Sequence, residues 1–249
     1  MLVPVTKRVK SDFFITNAPK ILLPLSTANL VSGIKLLIKI SNTELKFIKV
    51  ICDFIIIFFG FRQKKRPSKL GLFYVSCISS RYKLNKVFGA LIVKKSDLSL
   101  VSTGTNNEIT NPLYHGEISA LFNFFKSKNL NAKDYYFISS HEPCSLCLSA
   151  ITWSGFDNFY YFFTHKDTNS TFHIPHDLNI LQEVFNIKGG EYNKVNSYWK
   201  SFSIIDQIKE NQDSNNHHLI KKIDKIKLLY SDLSTQYQNA KISNNIPLK

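Results

Sequence analysis

No uncharged apolar run in this chain is long enough to cross a membrane as a helix. The most apolar window, FIKVICDFIIIFFGF (Phe47–Phe61), spans 15 residues and carries Lys49 and Asp53, whereas a spanning helix needs roughly 18 or more uncharged residues. No small-residue cleavage pattern follows it, so it does not read as a cleaved signal peptide. Cysteine is scarce: Cys52, Cys77, Cys144 and Cys147 are the only four in 249 residues, too few for a disulfide scaffold of this length. Acidic residues are nearly missing from the first 69 positions, which hold 3 Asp/Glu against 13 Lys/Arg. No internal repeat or low-complexity linker is evident.

What is present narrows the class. An apolar content of 44% with 13% aromatics supplies a substantial core and excludes global disorder. Two cysteines spaced CxxC suit a reducing, cytoplasmic setting with a metal or a redox site. The net charge of +14 is concentrated in residues 1–69, which carry +10, leaving +4 for 70–249. The basic excess therefore describes an N-terminal extension, residues 1–68, more than any site around Cys144 and Cys147. The run RQKKRPSK (Arg62–Lys69) directly after Phe47–Phe61 could also flank a membrane anchor. Membrane contact through residues 47–61 thus stands beside the plainer reading of a buried or poorly structured appendage.

From about Lys69 the pattern becomes regular. Val87–Lys95 and Ser99–Asn106 read as two strands joined by a turn at SDL. Asn111–Leu130 reads as a helix with Pro112 near its start and Leu113, Ile118, Leu121, Phe122 and Phe125 on its apolar face. Lys133–Ser140 is a third strand, Cys144–Gly155 a second helix ending at glycine, and Asp157–Phe163 a fourth strand. His176–Asn186 is a further helix. In the tail, Leu219, Ile223, Ile226, Tyr230, Leu233, Tyr237 and Ala240 recur at alternating spacings of 4 and 3, the seam of one long helix. A seam this short is expected to dock on its own domain rather than stand as a free coiled coil. Strands alternating with helices imply a layered α/β domain over 69–249, with C-terminal helices over about 205–242.

The chemistry centres on YHGEIS (His115, Gly116, Glu117) and SSHEPCSLC, where Pro143 precedes Cys144 and Cys147. One imidazole and two thiolates are three zinc ligands, which leaves a tetrahedral ion a fourth position for water, and zinc lowers the pKa of that water toward neutrality. Cys144 and Cys147 open a helix, where the dipole favours thiolate, and their i,i+3 spacing puts both on one face. Glu117, two residues past His115, can carry protons without being a ligand. A CxxC by itself equally fits a redox pair. A structural zinc knot would need a fourth protein ligand, for which His141 is the candidate. His165, His173 and His176 read as loop residues that help close a pocket.

His-x-Glu followed by Pro-Cys-x-x-Cys is the zinc-deaminase signature. Together with FGALIV (Phe88–Val93), GTN (Gly104–Asn106), HGEISAL (His115–Leu121) and EPCSLCLSAITW (Glu142–Trp153), it gives a chain that resembles cytidine and deoxycytidylate deaminase-like proteins from about Lys69 to Gln238. The resemblance is greatest to the nucleobase and nucleoside branch: guanine deaminase, bacterial cytosine deaminase and tRNA adenosine deaminases. Histidine in the first ligand position sets the chain apart from cytidine deaminases, which usually have cysteine there.

The resemblance implies a cytidine deaminase-like three-layer α/β fold, a mixed central sheet with helices on both faces, plus a C-terminal helical extension. It implies zinc on His115, Cys144 and Cys147, Glu117 as proton shuttle, Asn106 hydrogen-bonded to the base, and Phe88 and Trp153 as aromatic walls. The implied enzyme is a hydrolase of C–N bonds in cyclic amidines. Water activated by zinc would attack the amino-bearing ring carbon of a free nucleobase or nucleoside, releasing ammonia. A tRNA adenosine substrate is the enzymatic alternative, and a non-catalytic zinc module the alternative of another class. Relatives are commonly dimers, which implies a homodimer. Three departures stand out. Gly116 replaces the more usual alanine and is expected to make room beside the substrate. The helix that should precede Val87 has a poor helix sequence. Residues 1–68 have no counterpart in the family.

Overall fold

The computed structural model describes residues 85–210 and 217–249. The extension 1–68 with its apolar window 47–61, the boundary at residue 69, Cys52 and Cys77, and the helix expected before Val87 all lie outside the described residues. Among the described residues, no helix is long and apolar enough to cross a membrane.

Five strands form one mixed sheet in the order β2-β1-β3-β4-β5. Strands β1 (Gly89–Lys94) and β2 (Leu100–Thr105) pair as an antiparallel hairpin. Its turn is closed by Asp97, whose carboxylate accepts from the Ser99 amide and hydroxyl at 2.9 and 2.6 Å. β1 pairs antiparallel with β3 (Tyr135–His141), after which β3, β4 (Asn158–Phe163) and β5 (Lys200–Ser203) run parallel. Strand β4, NFYYFF, is buried along its whole length. A continuous apolar run is what a parallel strand covered on both faces requires.

The alternation of side chains across the pleat divides the core into two layers. Ala90, Ile92, Phe137, Phe159 and Tyr161 pack with helices α1 (Gly116–Phe124) and α2 (Ser145–Trp153) through Ala120, Leu121, Phe124 and Ile151. Leu91, Val93, Ile138, Tyr160 and Phe162 face the other way. They meet α5 (Ile204–Glu210) and α6 (His217–Ala240), with Phe172 and Ile174 from the connection between α3 (His165–Ser170) and α4 (His176–Phe185). This is the expected three-layer α/β architecture.

The tail seam docks on its own domain. Ile223, Ile226, Tyr230 and Tyr237 are all buried against the sheet. Burying the two isoleucines alone contributes about 3–6 kcal/mol before chain entropy is counted. Gln238 Nε2 adds a hydrogen bond to the Phe172 carbonyl at 2.8 Å.

The first helix departs from its expected span and face. It starts at Gly116 rather than Asn111 because asparagines organise the preceding residues as turns. The Asn107 amide donates to the Tyr114 carbonyl at 2.8 Å, and Asn111 Oδ1 accepts from the Leu113 amide at 2.9 Å. The first is a backbone bond that closes the loop, and the second a side-chain bond of the kind that competes with helix. Its buried face is Gly116, Glu117, Ala120, Leu121 and Phe124, whereas Leu113, Phe122 and Phe125 are exposed. The small residues Gly116 and Ala120 sit where α1 lies close on the hairpin: Ser102 Oγ donates to the Ala120 carbonyl at 2.7 Å. A methyl on Gly104 would collide with the α1 backbone.

Candidate metal centre

Two helix starts converge on the centre. His115 is the N-cap residue of α1 and Cys144 that of α2, both with extended backbone and neither spending its side chain on a cap bond. Cys147 follows one turn into α2. His115 Nδ1 lies 3.4 Å from Cys144 Sγ and 3.6 Å from Cys147 Sγ, and the three donor atoms all lie within 4.8 Å of one another. Both cysteines are free thiols. Zinc with Zn–N and Zn–S bonds of about 2.0 and 2.3 Å at the tetrahedral angle puts N and S about 3.5 Å apart. The donor set fits the ion in kind, number and spacing.

Burial and hydrogen bonding shift the three donors in different directions. Cys144 is held well below the usual thiol range by a hydrogen bond from Cys147, then by His115 against the cost of burial. Cys147 is pushed up by burial and the adjacent Cys144 charge. For His115, burial works against the proton, but the Cys144 hydrogen bond and charge, then Glu108 and Glu117, lift it to about 9.

Glu117 is fully buried. Its Oε1 accepts from Ser139 Oγ at 2.7 Å, and its Oε2 faces the donor cluster, accepting from Cys147 Sγ at 3.4 Å. Burial and then the Cys144 charge raise its pKa to about 7, against the lowering effects of His115 and Ser139. His141, offered by the sequence as a fourth zinc ligand, does not join the cluster. Its ring stacks on Phe88 at 3.8 Å, with Nδ1 3.6 Å from Glu117 Oε1. Burial, then the charge of His115, holds it well below the usual histidine value.

The remaining sequence candidates fall in different places. Asn106 is buried beside the centre with both ends of its amide in use. Oδ1 accepts from the Gly116 amide at 2.7 Å, and Nδ2 donates to Glu108 at 3.0 Å. Phe88 is a core side chain, 2% exposed, whose contact with the site runs through His141. Trp153 is not brought to the centre: it ends α2, the helix whose opposite end carries Cys144, and is 92% exposed. Nine helical residues place it about 13 Å along the axis.

His165 is no loop residue but the first residue of α3, buried, with Nε2 donating to the Pro143 carbonyl at 3.1 Å. It thereby steadies the turn before Cys144. Glu142 supports the same turn by accepting from the His165 amide at 3.0 Å, Tyr192 OH at 2.9 Å and Lys194 Nζ at 3.0 Å. His173 sits between α3 and α4 with φ 55°. His176 opens α4, its Nε2 3.3 Å from the Lys249 carbonyl at the end of the chain.

Gly116 does not make room for a substrate. A methyl there would meet the backbone of Gly89 in β1, 2.9 Å from its nitrogen and 3.0 Å from its carbonyl carbon. The space is that of a helix start resting on a strand.

Sequence reasoning missed Asp177. It is buried at the second residue of α4, with Oδ2 lacking any hydrogen-bond partner among the described residues. Burial, then the charge of Cys144, raises its pKa well above the carboxylate range. Nothing local marks it, because α4 reaches the centre only through the fold. Glu108 was missed for the same reason.

Residues 75–163 match the family described as the cytidine and deoxycytidylate deaminase zinc-binding region. Over 78 residues the chain is 37% identical to a tRNA-specific adenosine deaminase of Rickettsia typhi, covering 29% of this chain and 51% of that protein. Over 83 residues it is 35% identical to guanine deaminase of Bacillus subtilis, covering 32% and 52%. Among solved structures, guanine deaminase from Bacillus subtilis aligns at 28% identity with a TM-score of 0.34, over 44% of this chain and 71% of that one. The chain spans about half the length of the curated relatives it matches. The matched region contains every donor of the His115–Cys144–Cys147 cluster, so the similarity to the cytidine and deoxycytidylate deaminase zinc-binding region falls on the residues of the site itself.

Proposed function

We propose that this protein is a zinc-dependent hydrolytic deaminase of a free nucleobase or nucleoside, with His115, Cys144 and Cys147 as the ligands. Zinc there supplies an open coordination position and lowers the pKa of water bound in it. The observation that carries the reading is Glu117: a fully buried carboxyl facing the donor cluster, with a pKa of about 7. Such a group accepts and returns a proton near neutral pH at little cost. Ser139 holds Oε1 and leaves Oε2 to move protons: one from the attacking water to the ring nitrogen, and the water's second proton to the departing amine. A purely structural zinc module has no use for a carboxyl poised this way.

The Asp177 carboxyl, whose Oδ2 has no hydrogen-bond partner among the described residues, offers a hydrogen-bonding group to the edge of a small base. Similarity to guanine deaminase of Bacillus subtilis supports a free base or nucleoside as the substrate. Similarity to a tRNA-specific adenosine deaminase keeps the RNA substrate as the second reading. Ammonia release against cytosine, guanine, adenine, their nucleosides, dCMP and tRNA stem-loops decides between them. Turnover of the stem-loops alone refutes the small-molecule reading, and no release from any substrate by zinc-replete protein refutes deamination.

Two further assignments belong to the same reading. Residues 69–249 form the deaminase domain and 1–68 an extension outside it. Phe122, Phe125 and Trp153, exposed on α1 and α2, suit a homodimer contact, which sedimentation of wild type against a Trp153→Lys variant tests.

A further inference from the structure

Beside the centre lies a buried ion pair that the proposed chemistry does not use. Lys86 Nζ donates to Glu108 Oε1 at 2.6 Å, with side chains 8% and 1% exposed. The Lys86 amide donates to Oε2 at 3.3 Å, and Asn106 Nδ2 to the same oxygen at 3.0 Å. Oε1 also faces His115 Nε2 at 3.7 Å, about 0.7 Å beyond an ordinary hydrogen bond. A buried pair is costly to desolvate and is weak evidence for stability in itself. What distinguishes this one is its target. His115 points Nδ1 at both thiols, so its other ring nitrogen is the one that meets Glu108.

We infer that Glu108 is the positioning residue of the zinc site: its carboxylate receives the Nε2 proton of His115 and fixes the ring with Nδ1 toward the metal. The inference rests on the zinc reading of His115, Cys144 and Cys147. Glu108 acts on His115 along two routes. One is the side-chain contact to Nε2. The other runs through Asn106, whose Oδ1 accepts from the amide of Gly116 and so holds the first turn of α1, where His115 is the cap. Lys86 lies on the same carboxylate, at 2.6 Å from Oε1. A carboxylate on the far nitrogen of a ligating imidazole sets its tautomer and raises its basicity, and losing such a partner typically costs 10–100-fold in metal affinity.

The test is zinc affinity by chelator competition near neutral pH on the full chain, comparing wild type, Glu108→Gln, Lys86→Met and the Lys86→Met/Glu108→Gln double variant. Removing both partners leaves no unpaired buried charge, so the double variant stays folded if a single one does not. Glu108→Gln and the double variant are expected to bind zinc about 10–100-fold more weakly. Lys86→Met, which leaves the carboxylate facing His115, should stay within about threefold of wild type, since the 10–100-fold loss follows the carboxylate rather than the lysine. Equal losses in Lys86→Met and Glu108→Gln would make the pair a structural brace and overturn the inference. Wild-type affinity in the double variant overturns it as well, leaving the zinc reading intact. A wild-type protein that takes up no zinc overturns both.

Discussion

Gly116→Ala pits two effects of opposite sign against each other. Helix propensity favours alanine over glycine by about 1 kcal/mol inside a helix, so an isolated view of α1 expects stabilisation. The structure opposes this. The new methyl would sit 2.9 Å from the Gly89 nitrogen and 3.0 Å from its carbonyl carbon, where heavy atoms prefer about 3.5–4.0 Å. The obstacle is backbone and cannot rotate away. Gly89 starts an interior strand, and its amide is tied to Ser140 Oγ at 3.0 Å. Helix and strand must therefore part by on the order of 1 Å, and overpacking of this kind costs about 1–3 kcal/mol. With the propensity gain subtracted, a net loss of up to about 2 kcal/mol remains, or at most roughly 8 °C in Tm for a domain of this size. The displacement begins one residue from His115, so zinc affinity should fall too. Thermal unfolding and zinc titration of the variant check both. An alanine variant with a raised Tm and full zinc affinity would refute the steric argument.

Cys144→Ser should lose zinc and stability together, since metal binding contributes to folding; metal analysis and thermal melts read both, and retained stoichiometric zinc would exclude Cys144 as a ligand. Glu117→Gln should keep zinc and lower the deamination rate by roughly two to four orders of magnitude, measured as ammonia release. The same variant has a pH signature. The folded pKa of Glu117, about 7, lies above its ordinary 4.5, so in the metal-free protein this group's contribution to stability is fully present below 4.5 and is lost as pH rises from there through 7. Denaturation of metal-free Glu117→Gln should show a smaller loss over that window, and identical pH curves for both proteins would contradict the assignment. A chain beginning at Pro67 should fold cooperatively and keep zinc and turnover; failure to fold would place part of the domain core within the first 66 residues.

The three clustered donors and the carboxyl proposed as proton carrier could be picked out in the sequence because each belongs to a short motif. Cys144 and Cys147 lie three apart at one helix start, a spacing that brings both to one side, while His115 caps the other helix in extended backbone and Glu117 follows in its first turn. The strand and helix order from Val87 to Phe163 and the seam of α6 were legible for the same reason, as periodicity records which face is buried. Tertiary structure decided the rest. It turned the inner face of α1 to Gly116, Ala120 and Phe124 instead of Phe122 and Phe125, because close packing on the hairpin admits only small residues near the helix start. It sent Trp153 into solvent and Phe88 into the core. It also brought Glu108, Lys86 and Asp177 to the centre from segments with no motif of their own. A buried carboxylate has chemical meaning only through the charges around it, and those charges come from chain positions far apart in sequence, which no short-range pattern can register.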